Sequence, residues 1–199
     1  MLMLYYFALY KPYQVLSQFS AEGNKKTLKN FADVPADVYP VGRLDYDSEG
    51  LLILTNDSSL NAALLLPQRA HERTYLVQVE GLVTPNALAA LASGVVINVD
   101  GKKYKTLPSK VGQLEIQPQL PERHPPIRFR KNIPTSWIRL TLKEGKNRQV
   151  RKMTAAVGFP TLRLVRHSIG QLNIEGWASG ELRQFTRNEL FALIHYLAD

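Results

Sequence analysis

The chain has 199 residues, 45% of them hydrophobic and 21% charged, enough to bury a core in one domain or two small packed lobes. It contains no cysteine, which excludes disulfide frameworks and thiolate zinc sites, and its four histidines (His71, His124, His167, His195) show no metal-ligand spacing, so chemistry without metal or cofactor is expected. The net charge of +8 is concentrated: residues 123–152 hold ten Lys and Arg against one acid, Glu144, whereas the rest holds 15 basic and 16 acidic residues. Solubility needs no such clustering, so this segment reads as a surface for a polyanion.

In chain order, the apolar run Met1 to Tyr10 is too short to span a bilayer and lacks a basic leader or small-residue cleavage site; it reads as an edge or core strand of a cytoplasmic protein. Lys11-Pro12-Tyr13-Gln14 follows, then a polar turn over Ser20 to Lys26 and a short amphipathic turn over Thr27 to Phe31, closed off by Pro35 and Pro40. Gly42 to Asp57 joins a polar, Gly-bracketed segment with three carboxylates (Asp45, Asp47, Glu49) to the apolar run Leu51 to Leu54. That run is too short for a helix and suits a strand buried on both faces. Were 45–49 extended, the three acids would share one face and repel, so a loop displayed at the strand's end is expected. On spacing alone, Asp45 fits a turn residue or a surface charge as well as a catalytic group.

Ser58 or Ser59 is expected to cap a helix over 61–66, ended by Pro67, with a lobe boundary at Gln68 to Arg73. Beyond it, Tyr75 to Glu80 alternates as a strand, Thr84-Pro85 opens a helix over 86–92 that Gly94 ends, and Val95 to Val99 starts a return strand. Gly101 to Gly112 reads as a polar hairpin. Gln117 to Thr135 is long and irregular, holds five of the twelve prolines, and carries Arg123, Arg128, Phe129, Arg130 and Lys131. Cationic groups interleaved with an aromatic suit phosphate contacts and stacking on an unpaired base.

Trp137 to Leu142 alternates again. Asn147 to Val157 reads as a helix that buries Val150, Met153 and Val157 while presenting Arg148, Arg151 and Lys152 on its other side, which spacing alone would also allow to be a solvated face. Leu162 to Ile169 is a further strand and Arg187 to Leu197 an amphipathic helix used for packing. Two strand-helix-strand units in succession predict an α+β fold with a mixed, largely antiparallel sheet: an N-terminal lobe (1–70) with the Asp45 loop and a ferredoxin-like, split β-α-β C-terminal lobe (71–199) with the basic segment 123–152, together forming one domain.

Gly42-Arg43-Leu44-Asp45-Tyr46-Asp47-Ser48-Glu49-Gly50 through Asn56-Asp57 resembles the active-site string of the RsuA-type pseudouridine synthases, and Glu144-Gly145-Lys146-Asn147-Arg148-Gln149-Val150-Arg151-Lys152-Met153 resembles that family's downstream motif. Arg73 to Gly81 matches its K-x-Y-x-V-x-V-x-G strand with Arg in the Lys position, and Leu162 to Gly170 its L-x-R-L-x-R-x-x-I-G strand. At Lys11-Pro12 the family's K-P-x-G ends instead in Gln14. The similarity runs from Lys11 to about Thr186. Pro125 to Trp137 and Thr154 to Pro160 are similar to a branch acting on large-subunit (23S) ribosomal RNA, and no S4-type RNA-binding domain is expected ahead of the core.

The resemblance implies a cofactor-independent isomerase that turns a uridine of ribosomal RNA into pseudouridine. Asp45 would be the essential catalytic aspartate, Arg151 its partner, and Tyr75 a group stacked on the target base. Arg148, with Arg43, Arg123, Arg128, Arg130, Lys131, Lys146 and Lys152, would bind RNA. The expected partner is large-subunit ribosomal RNA or an assembling particle, the expected state a monomer without membrane association. A non-catalytic ribosome-assembly protein would account for the basic segment but not for the Asp45 loop. A hydrolase using paired carboxylates lacks a sugar-binding aromatic cluster.

Overall fold

The computed structural model describes residues 3–65, 71–127 and 133–195 and is a mixed α+β structure of mostly antiparallel strands and four α-helices. It divides into two compact units, residues 1–71 with 166–199 and residues 72–165. The last strands and the C-terminal helix therefore belong with the N-terminal residues. Among the described residues no helix is long and apolar enough to cross a membrane.

The first unit begins with β1 (Tyr6–Lys11), the short pair β2 (Val15–Leu16) and β3 (Lys26–Thr27), β4 (Tyr39–Pro40), β5 (Glu49–Thr55) and α1 (Ser58–Leu65). β1 lies inside its sheet with all six residues buried, and β5 is buried along its whole length, as its unbroken apolar run requires. The two run antiparallel in a register that sets Tyr6 opposite Thr55 and Lys11 opposite Gly50. Phe7 and Leu9 of β1 and Leu52 and Leu54 of β5 pack on one face with Val15, Leu28, Ala32 and Val38. Each large aliphatic side chain so buried contributes about 1.5–3 kcal/mol relative to exposure.

The T-N-D end of the long motif is structural. Thr55 Oγ1 donates to the Tyr5 carbonyl at 2.6 Å, the Asn56 amide bridges Met3 O and Asp37 Oδ2, and Asp57 Oδ1 accepts from the Ser59 and Leu60 amides. Asp57, rather than Ser58 or Ser59, thus caps α1, since its carboxylate can accept several donors at once.

The second unit holds β6 (Arg73–Glu80), α2 (Pro85–Ser93), β7 (Val96–Val99), β8 (Lys102–Lys105), β9 (Lys110–Leu114), β10 (Thr135–Leu142), α3 (Gln149–Ala156) and the first half of β11 (Thr161–Ile169). Its main strands lie in the order β11, β6, β10, β9. Val77, Val79, Ile138 and Leu140 from this sheet form one core with Ala87 and Leu91 of α2, Ile97 of β7, and Val150 and Met153 of α3. Both helices therefore cover the same sheet face. Thr84 caps α2 through Ala87 N with Pro85 in the first turn, as its sequence requires.

Two expectations change in this unit. The hairpin is not 101–112 but β7–β8, turning at Asp100-Gly101 with φ of 50° and 81°, a conformation that Asp-Gly favours in two-residue hairpins. β9 instead pairs with β10. In addition, α3 starts at Gln149, with Arg148 left-handed (φ 51°) at its N-cap, so Arg148 is off the helical face that carries Arg151 and Lys152.

The chain returns to the first unit through the end of β11, then β12 (Leu172–Asn173), β13 (Leu182–Phe185) and α4 (Arg187–Leu193). β13 pairs antiparallel with β1, and Phe191 of α4 meets Tyr6 edge-on at 5.8 Å. Thr186 and Glu189 form a reciprocal capping box at the start of α4.

Candidate active site

Asp45 lies, half-buried, in a turn closed by the Ser48 amide donating to its carbonyl at 3.0 Å, immediately before β5. Residues 14–17 pin this turn on both sides of Asp45. Ser17 Oγ donates to Leu44 O at 2.8 Å and accepts from Leu44 N at 3.0 Å, while Gln14 N donates to Tyr46 O at 2.9 Å. Buried Ser17 leaves no local trace in the sequence, being 27 residues from its partner. The expected loop thus holds Asp45 and Asp47 but not Glu49, which is the buried first residue of β5, and the backbone of the turn is held independently of the Asp45 carboxylate.

Gln14 takes φ of 55°, in the left-handed region where the family pattern has glycine. Its backbone bond to Tyr46 keeps the turn despite the missing glycine. Relieving the left-handed side chain outweighs the added freedom of an unfolded glycine, so Gln14→Gly is expected to raise stability by about 0.5–1 kcal/mol in chemical denaturation without loss of the fold. A destabilised variant would show that the glutamine side chain holds the turn.

A buried charge cluster stands beside the loop. Lys11 is 0% exposed, and its Nζ donates to Pro12 O at 2.9 Å and Val15 O at 2.7 Å. Burial drives its pKa from 10.5 down to about 7, against the opposing pull of Glu49, Asp45 and Asp47 and with a further push from Arg166. Glu49 and Arg166 are themselves buried, and Arg166 Nε donates to Leu51 O at 2.7 Å. The family-like strand from Leu162 to Gly170 contains Arg166, but its sequence does not tell which side chains turn toward Lys11.

Above pH of about 7 the folded protein releases the Lys11 proton while the unfolded chain holds its own to about 10.5. The unfolded state then binds more protons, so stability rises with pH across that window, by at most about 1.4 kcal/mol per pH unit for one group. Lys11→Met should flatten this rise, as read from denaturation midpoints at a series of pH values; an unchanged profile would show that Lys11 titrates normally.

In the second unit, Tyr75 is partly buried on the core side of β6 beside Val77 and Val79, so it serves packing whatever else it does. Val150 and Met153 turn inward from α3 and Val157 packs on the same core, leaving Arg151 and Lys152 half-buried. The loop before α3 is clasped by polar bonds: Glu144 accepts from Tyr104 Oη (2.5 Å), Leu107 N (2.8 Å) and Gln149 Nε2 (2.6 Å), and Gln149 Oε1 accepts from Lys146 N at 2.9 Å. Lys146 Nζ lies 4.9 Å from the centre of the Tyr104 ring. Glu144, the lone acid of the basic segment, and Gln149 thus shape the loop that exposes Lys146 and Arg148. No local pattern in the sequence gives Tyr104, Glu144 or Gln149 this role, since Tyr104 lies 40 residues from Glu144.

Among the other expected RNA contacts, Arg43 is exposed next to the Asp45 turn, and Arg123 Nε donates to Pro125 O at 2.9 Å. Arg128, Arg130 and Lys131 lie outside the described residues. Asp45 belongs to the first unit; Tyr75, Lys146, Arg148, Arg151 and Lys152 belong to the second.

A pinned acidic turn in one unit and a clasped basic loop and helix in the other accompany a match of residues 5–156 to the RNA pseudouridylate synthase model, and the chain belongs to that family, in its RsuA-type branch. It is 49% identical over 176 residues to a ribosomal large subunit pseudouridine synthase E of Vibrio vulnificus strain CMCP6, covering 88% of this chain and 73% of that protein. It is 51% identical over 172 residues to a protein of the same name from Xanthomonas axonopodis pv. citri strain 306, covering 85% and 88%. A crystal structure of a pseudouridylate synthase superposes with a TM-score of 0.77 at 29% identity, covering 97% of this chain and 75% of that one.

Proposed function

We propose that this protein isomerises a specific uridine of large-subunit (23S) ribosomal RNA to pseudouridine, free or within an assembling particle, acting as a cytoplasmic monomer without a cofactor. Identity of 49% to a large-subunit synthase over 88% of the chain supports the substrate class. The observation that carries the catalytic reading is the half-buried Asp45 on a turn anchored at both neighbouring residues. In the reaction the C1′–N1 glycosidic bond breaks, uracil turns over, C1′ bonds to C5, and the C5 proton is lost as N1 gains one.

Asp45 either attacks the nucleoside or abstracts a sugar proton. Arg151 is its electrostatic partner, and Tyr75 stacks on the flipped uracil and assists removal of the C5 proton. Taking the base out of its stack costs roughly a few kcal/mol, which phosphate contacts by Arg43, Arg123, Arg128, Arg130, Lys131, Lys146, Arg148 and Lys152 offset. The two units act as one catalytic domain. A ferredoxin-like reading of residues 72–165 is supported by the strand order β11, β6, β10, β9 with α2 and α3 on one face.

The test is tritium release from large-subunit ribosomal RNA labelled at uridine C5. Release accompanied by pseudouridine in the RNA supports the reading; binding without release would identify a non-catalytic assembly protein. Arg151→Ala should lower the rate at least about 100-fold, and in a double-mutant cycle with Asp45→Asn the two losses should be strongly non-additive. Additive losses would separate Arg151 from Asp45.

A further inference from the structure

The positive excess of the sequence begins at residue 123, yet β8, ahead of it, contains a second cationic group. Lys102, Lys103 and Lys105 fall within four residues of the β7–β8 hairpin, whose own acid is Asp100 at the turn. Lys105 has a structural task, since its Nζ donates to Gly94 O at the end of α2 (2.5 Å). Lys102 and Lys103 are exposed, their cross-strand neighbours Val99 and Asn98 are uncharged, and neither is in an ion pair among the described residues. By contrast, Lys110 and Lys143 in the same unit share an ion-pair partner in Glu72.

The hairpin is also held in place. Its Asp100-Gly101 turn is closed further by the Gly101 amide on Asn98 Oδ1 at 2.9 Å, and Tyr104 reaches from β8 to Glu144 and lies under Lys146. Strand periodicity puts Lys102 on the same face as Tyr104, and therefore on the side of the Lys146 loop, with Lys103 on the opposite face of the ribbon. A fixed two-stranded arm with two uncompensated ammonium groups next to an exposed basic loop is suited to a phosphodiester backbone, which condenses on point charges without needing base-specific geometry.

We propose that the β7–β8 hairpin is a second RNA-backbone contact, in which Lys102 extends the phosphate-binding surface of the Lys146–Arg148 loop and Lys103 meets the backbone from the opposite face of the ribbon. The Tyr104–Glu144 junction holds the arm and the loop in one arrangement. The proposal rests on RNA being the substrate, as above.

The experiment measures affinity for in vitro transcribed large-subunit ribosomal RNA from about 50 to 200 mM salt. Two lost phosphate contacts should flatten the log–log slope for Lys102→Ala/Lys103→Ala by about 1.4–1.8, and Lys102→Arg/Lys103→Arg should keep the wild-type slope. Lys26→Ala/Lys29→Ala removes the same charge from exposed positions of the first unit and should leave slope and activity as in wild type. A wild-type slope in the first variant, an equal flattening in the Lys26/Lys29 control, or the same loss in the arginine variant would each overturn the proposal. Tritium release by the wild-type protein is scored separately: a flattened slope without wild-type release removes the proposed reaction and leaves the hairpin contact standing.

Discussion

Asp45→Asn is expected to lower tritium release from uridine C5 by at least about 10⁴-fold, the scale of losing a reacting group from a catalytic unit. It should leave folding and RNA affinity close to wild type. The amide matches the carboxylate in shape, and the turn is held by backbone bonds to Ser17 and Gln14 that do not involve the Asp45 side chain. Its main indirect effect falls on Lys11, whose proton the Asp45 charge helps retain, so the pH window of rising stability should open at lower pH in the variant. Turnover within tenfold of wild type in a correctly folded variant would remove Asp45 from its role.

Gly50→Ala is expected to destabilise the protein by more than about 3 kcal/mol, or to prevent soluble folding, as read from urea denaturation and yield. A Cβ at this position would lie 2.3 Å from Arg166 O and 2.7 Å from Arg166 N, and φ is +110°. Backbone cannot yield as the end of a flexible side chain does. β5 would have to move away from β11 within the first unit, breaking the Arg166 Nε bond to Leu51 O and disturbing the register of Lys11 on Gly50. At Gly23, where a Cβ would meet nothing within 4 Å, the same change should cost only about 1 kcal/mol. Equal costs at the two positions would show that the β5–β11 approach is looser than its geometry.

Much of the site was legible because its signals are local. The long acidic motif, the buried run of β5, the Thr84-Pro85 cap and the inward stripe of α3 depend on neighbours within about one helical turn or on strand alternation, and these periods are written directly in residue order. The polar stretch 101–112 suggests a hairpin by composition, but the Asp100-Gly101 dipeptide at its front is the stronger signal and sets the turn between β7 and β8. Helical spacing places Arg148 beside Arg151 and Lys152, whereas Gln149 and Glu144 close the loop ahead of α3 and leave Arg148 left-handed.

The sequence by itself determined which residues are chemically eligible: an acidic loop before a buried strand, a basic segment with its helix, and the family pattern spanning both. Only the tertiary structure decided their surroundings. It returned residues 166–199 to the first unit, set Ser17 against Leu44, buried Lys11 among Glu49, Asp45, Asp47 and Arg166, and joined Tyr104 to Glu144 across 40 positions. Such contacts depend on strand register and on how the chain closes its long loops, and neither leaves a short-range period for sequence to display.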